Sequence, residues 1–138
     1  MMKTTAQDIM STEVLTIREG TTLEEALKIL INNRITGLPV VNAQNEMTGM
    51  VSEYDIMVQI AGMPGAGGGE KTNLSVACQF AGVTTTVTTT TDLKEIVDMF
   101  INLKYRRLPV VDRDQKLVGI ITRRDLMRLY YYRARLTG

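Results

Sequence analysis

The chain has 138 residues, 44% of them hydrophobic and 22% charged, enough to bury a core without disulfide or metal staples. One cysteine and no histidine exclude an internal disulfide and histidine acid–base chemistry, and they leave no paired Cys/His spacing for a structural zinc. The net charge of +1 conceals unlike halves: four basic against eight acidic residues up to position 69 (net −4), then twelve against seven (net +5). That contrast fits an anion site in the second half, attraction between subunits, or plain solvated surface.

From the N-terminus, MMKTTAQDIM lacks the apolar core of a signal peptide, and no later apolar run approaches the roughly 20 residues that cross a bilayer. A soluble, cytoplasmic chain is expected. Val14-Leu15-Thr16-Ile17 favours extended backbone. Thr22 with Glu25 three residues on has the form of a capping box, and Leu23, Ala26, Leu27, Leu30 and Ile31 then recur at helical spacing. Two short buried strands follow, Leu38-Pro39-Val40-Val41 and MTGMVS, separated by a polar turn at Asn42 to Glu46. A second helix begins after Ser52.

Residues 61–74 are rich in glycine, so ordering them is entropically costly, and they read as a linker. A phosphate-cradling loop is the alternative, but the GK[ST] ending is missing. The same elements then return. Shifting the chain by 70 positions aligns residues 5–57 with 75–127 without a gap, pairing Leu23 with Leu93, Glu25 with Glu95, Asn32 with Asn102 and Gly49 with Gly119. Thr84 to Val87 is the second first strand, Asp92 and Glu95 the second capping box, and Leu93, Ile96, Val97, Phe100 and Ile101 the second stripe. LPVV at 108–111 and LVGIIT at 117–122 complete an α/β unit of strand, helix, strand, strand, helix. One copy cannot cover both faces of its sheet, so the halves are expected to pack together.

Strand, helix, LPVV, polar turn and then GMVSEYD or GIITRRD resembles the CBS domain, and two copies resemble a CBS pair, or Bateman module. The expected organisation is repeat 1 at 5–60, the linker at 61–74, repeat 2 at 75–130 and a basic, aromatic tail at 131–138. Asp8-Ile9-Met10 fits the family pattern, whereas Cys78-Gln79-Phe80 departs from it. The resemblance implies two repeats joined through their sheets with pseudo-twofold symmetry, leaving two clefts for adenosyl ligands such as AMP, ADP, ATP, S-adenosylmethionine or NAD. It also implies a homodimer formed through helices, for which Ile56, Met57, Ile60 and Leu126 to Tyr132 offer apolar and aromatic surface.

Each repeat carries Gly-x-x-Ser/Thr-x-x-Asp: Gly49, Ser52 and Asp55, then Gly119, Thr122 and Asp125. Taken alone, the spacing is that of an ordinary capping box, which needs no ligand. The resemblance adds that the Asp accepts ribose hydroxyls, the Ser or Thr hydroxyl and the helix amides meet phosphate, and both roles can hold at once. It points to Thr16 and Thr86, to Ile35, Thr36 and Gly37, and to Tyr105, Arg106 and Arg107 as walls around adenine, with Val51 and Ile121 as apolar contacts. Arg106, Arg107, Arg123 and Arg124 gather positive charge that favours phosphate around the second motif, so the cleft built on Thr122 and Asp125 is expected to be the tighter adenine-nucleotide site; for Arg123 and Arg124 a solvated face is the alternative.

The expected function is a stand-alone regulatory module that needs no cofactor and signals to an unknown separate effector protein. A ligand-free dimerisation or scaffold module is the main alternative. Catalysis is not expected without histidine or a base beside Cys78. Nucleic acid is the weakest alternative, suggested only by Arg128, Arg133 and Arg135 near the tail.

Overall fold

In the computed structural model, residues 3–69, 71–83 and 85–137 are described. In chain order the elements are α1 (Ala6–Ile9), β1 (Ile17–Arg18), α2 (Leu23–Asn33), β2 (Gly37–Val41), β3 (Met47–Ser52), α3 (Glu53–Ala61), β4 (Ala81–Gly82), β5 (Val87–Thr88), α4 (Leu93–Asn102), β6 (Arg107–Val111), β7 (Leu117–Thr122) and α5 (Arg123–Thr137). They form two compact units, one of Leu15–Thr84 and the other of Met1–Val14 with Thr85–Gly138. Thr84, expected in a strand, lies outside the described residues.

The Leu15–Thr84 unit holds the sheet β1-β2-β3-β4, with β1 parallel to β2 and the other neighbours antiparallel. Its core joins Ile17, Leu23, Ala26, Leu30, Leu38, Val40, Val51, Ile56 and Cys78. The other unit holds β5-β6-β7 over Ala6, Val87, Ile96, Phe100, Leu108, Val110, Ile121 and Leu126. The predicted helical stripes supply these cores except at their last members, Ile31 and Ile101, which are largely exposed. Thr22 Oγ1 caps the Glu25 amide at 3.2 Å and the Asp92 carboxylate caps that of Glu95 at 3.1 Å.

The first strands are shorter than their sequences suggest. Ile17 pairs with Val40 and Val87 with Val110, so Thr16 and Thr86 fall opposite Pro39 and Pro109. Proline has no N–H to extend a ladder, and regular pairing begins one residue later. The turns after LPVV repeat closely. Asn42 Oδ1 accepts from the amides of Gln44 and Glu46 at 3.0 and 2.9 Å, and Asp112 Oδ1 from those of Asp114 and Lys116 at 2.8 and 3.0 Å. Residues 62–68 make a run of turns, and Met63 and Leu74 pack on the core, so the glycine-rich segment buries more than its composition suggests.

The segments leading into the two copies differ. Ala6 N donates to Thr91 O at 2.8 Å, Leu93 N to Thr4 O at 2.9 Å, and Ser11 and Ile120 exchange two backbone bonds of 2.9 Å. In the other unit Cys78 N donates to Thr21 O at 2.7 Å, Leu23 N to Val76 O at 2.9 Å, and Ala81 pairs with Met50 in β3. Ser11 and Ala81 thus occupy equivalent places 70 residues apart, whereas Ala6 and Cys78 are related by 72. The helical turn α1 accounts for the slip, because four helical residues advance about 6 Å, as far as roughly two extended ones. Extended Cys78-Gln79-Phe80 therefore covers the path that Asp8-Ile9-Met10 and its helix cover, which is where the sequence departs from the repeat.

Candidate functional site

Both Gly-x-x-Ser/Thr-x-x-Asp motifs end a strand and open a helix, and both form complete capping boxes. Ser52 N and Ser52 Oγ donate to Asp55 Oδ2 at 3.0 and 2.9 Å, while Asp55 N donates back to Ser52 Oγ at 3.1 Å. Thr122 N and Thr122 Oγ1 donate to Asp125 Oδ2 at 2.7 and 3.1 Å, and Asp125 N to Thr122 Oγ1 at 3.4 Å. Each hydroxyl proton is thus committed to its own carboxylate. At α3, Glu53 N already donates to Thr36 O at 2.9 Å, so two of the leading amides are taken before any anion arrives.

The remaining carboxylate oxygens differ. Asp125 Oδ1 accepts a 3.4 Å bond from Ser11 Oγ and lies 3.8 Å from Arg128 Nη1, with the residue only 9% exposed. Asp55 Oδ1 accepts no bond from a described residue. Asp55 is half-buried and lines a cavity of about 330 Å³ together with Tyr54, Val58, Gln59, Gln79, Phe80 and Ala81. The charge count favoured Asp125, and the cation that lies beside its second oxygen is Arg128, which that count did not single out. Sequence reasoning missed Ser11 and Arg128. Their only signal is that the shift of 70 sets Ser11 against Ala81 and Arg128 against Val58.

Thr16 and Thr86 are half-buried just ahead of β1 and β5, and Ile35 and Thr36 half-buried before Gly37, which is buried as the first residue of β2. Tyr105 and Arg107 are half-buried, Arg106 is exposed, and the Tyr105 hydroxyl meets Thr85 Oγ1 at 2.5 Å. Val51 and Ile121, expected as apolar walls, have 0% exposure and belong to the two cores, because inward-facing residues of β3 and β7 lie under the helices. Ile56 and Leu126, expected to offer surface, are likewise buried. Arg123 and Arg124 are exposed in the first turn of α5, as on a solvated face.

Glycines at 49 and 119 let the leading segments cross the sheets. A Cβ on Gly49 would collide with the Ala81 carbonyl oxygen and the Phe80 ring, and one on Gly119 with the Met10 side chain. Beside Asp55, Cys78 is buried, and burial first and the Asp55 charge second push its thiol above the ordinary range. Iodoacetamide at pH 7.5 is expected to alkylate Cys78 at least tenfold more slowly in the native chain than in urea, a difference read by mass spectrometry. Among the described residues no group of three or more His, Cys, Asp or Glu could hold a metal ion, and no helix is long and apolar enough to cross a membrane.

A repeated sheet-and-helix unit with a capped aspartate at each strand-to-helix junction defines a class of protein, and comparison supplies its name. The CBS domain pattern matches residues 6–62 and 83–132, so the chain belongs to the CBS domain family. It is 35% identical over 135 residues to the chloroplastic CBS domain-containing protein CBSX1 of Arabidopsis thaliana, a match covering 81% of this chain and 57% of that protein. The chain thus spans little more than half the length of that relative. The crystal structure of CBSX2 in complex with AMP superposes with a TM-score of 0.73 at 28% identity, covering 94% of this chain and 97% of that one. The cytosolic domain of the Mg2+ channel MgtE, solved in complex with ATP, gives 0.72 at 26% identity, covering 91% of this chain and 48% of that one.

Proposed function

We propose that the chain is a regulatory module, not an enzyme, that binds an adenosine-containing ligand through a motif aspartate and signals to a separate protein in the cytoplasm. The observation that carries this reading is Asp55: its carboxylate is fixed by a capping box through one oxygen, its other oxygen accepts no bond from a described residue, and the residue lines a cavity of about 330 Å³. Such an oxygen suits the paired hydroxyls of a ribose, a group common to AMP, ADP, ATP, NAD and S-adenosylmethionine. Related proteins solved with AMP and ATP support the same ligand class.

The expected result of a thermal-denaturation panel with these compounds is a saturable rise in midpoint for at least one. A ligand at a hundred times its Kd adds about 2.7 kcal/mol, roughly 8–10 °C for a chain of this size. No shift with any of them at millimolar concentration would favour a ligand-free scaffold instead.

In the same reading the active species is a homodimer. Ile31 and Met57 are 69% and 68% exposed and line a mainly apolar groove of about 430 Å³ between α2 and α3, which a second copy would cover. Ile31→Glu with Met57→Glu is expected to give a folded monomer where the native chain gives a dimer in light scattering at micromolar concentration. A native monomer would refute the assignment.

A further inference from the structure

The two halves of the repeat differ at one place where the motif chemistry is otherwise the same. Ser11 is clamped to β7 by its two backbone bonds to Ile120, each 2.9 Å, which hold its hydroxyl at Asp125 Oδ1. Arg128, one turn into α5, adds its guanidinium to the same oxygen. With Oδ2 committed to the capping box, both oxygens of Asp125 are engaged by the protein itself.

The equivalent place beside β3 is filled by Ala81, and the equivalent place on α3 by Val58. Neither side chain has a donor. Both are exposed and both line the cavity onto which Asp55 opens, together with the Tyr54 and Phe80 rings and the Gln59 and Gln79 amides. The Gln59 amide spans to the strand-like lead-in, donating to Ala77 O at 2.9 Å and accepting from Gln79 N at 2.8 Å, which fixes that wall of the cavity.

We propose that Ser11 and Arg128 form a latch that keeps Asp125 closed, so that the chain takes one adenosyl ligand, with its ribose hydroxyls on Asp55. This deepens the regulatory-module reading and rests on it for the ligand class. A ribose at Asp125 would have to displace a hydroxyl and a guanidinium, whereas at Asp55 it displaces only solvent. A donor from the chain stands where a ligand's donor would stand.

Calorimetric titration of the full chain with AMP tests this. The native chain is expected to bind one AMP per chain. Ser11→Ala with Arg128→Val, which copies the first repeat into the second, is expected to raise the number to two. Ala81→Ser with Val58→Arg, the reverse exchange, is expected to weaken the native site roughly tenfold or more. Two AMP per native chain, or a native site lost with Asp125→Ala and kept with Asp55→Ala, would overturn the latch. Absence of AMP, ATP and S-adenosylmethionine binding in every variant would overturn the ligand class instead. The latch has its own readout without ligand: carbodiimide labelling is expected to modify Asp55 several-fold faster than Asp125 in the native chain and to level the two in the Ser11→Ala, Arg128→Val variant. Unchanged Asp125 labelling in that variant would show that the latch does not exist.

Discussion

Gly49→Ala will destabilise the chain by about 2–3 kcal/mol and Gly119→Ala by only about 1 kcal/mol, although the two glycines are the same residue of one repeat. The atoms a new Cβ meets explain the difference. At Gly49 they are the Ala81 carbonyl oxygen and the Phe80 ring, a backbone group and a stiff plane. At Gly119 they are the Sδ, Cγ and Cβ of Met10, an unbranched side chain that can swing aside. Relief at Gly49 therefore requires β4 to leave β3, with loss of the pairings of Gly49 to Gly82 and Met50 to Ala81. Urea denaturation followed by circular dichroism measures both costs. Equal midpoints for the two variants would show that β4 yields as easily as a side chain.

Asp55→Ala is expected to weaken adenosyl-ligand binding at least about 100-fold, and Asp125→Ala less than threefold. Two ribose hydroxyls donating to a charged oxygen contribute about 1.5–3 kcal/mol each, and alanine removes the acceptor for both. Both substitutions remove the acceptor of a capping box, at a cost of about 1 kcal/mol to stability, and Asp125→Ala loses the Ser11 and Arg128 contacts as well, so Asp125→Ala should melt lower than Asp55→Ala while keeping the tighter binding. That separation isolates ligand contact from folding. Calorimetry with AMP beside thermal melts gives both quantities, and parallel losses of affinity in the two variants would contradict the assignment to Asp55.

Much of the fold was legible because the sequence states it twice. Leu38 to Val41 and Leu108 to Val111 lie in β2 and β6, and Thr22 and Asp92 cap the helices that carry the long apolar stripes, although only the N-cap half of each expected capping box forms. Periodicity and caps are local signals, and here they agree with the packing. The first strands were overextended because Thr and Val runs favour extended backbone, whereas pairing is limited by Pro39 and Pro109 on the neighbouring strand. β4 was not foreseen: Ala81–Gly82 carries no strand propensity and is drawn to β3 by the bare surface of Gly49.

The candidate site was legible as residue types but not as availability. Ser52, Asp55, Thr122 and Asp125 stand at the strand-to-helix junctions where the motif spacing put them. Val51 and Ile121 were expected at a pocket wall, yet alternation along β3 and β7 turns them into the cores. Counting charge drew attention to Arg106, Arg107, Arg123 and Arg124, but a count does not say which cation a carboxylate keeps for itself. Ser11 reaches Asp125 across 114 positions of sequence, a contact that no local pattern announces.

The most direct test of adenosyl-ligand binding is equilibrium dialysis of the native chain against radiolabelled AMP, with ATP and S-adenosylmethionine as competitors. Saturable retention of AMP with a submillimolar Kd, approaching one per chain and lost in Asp55→Ala, is the expected result. A chain that is folded by circular dichroism yet retains none of the three ligands at millimolar concentration would contradict it.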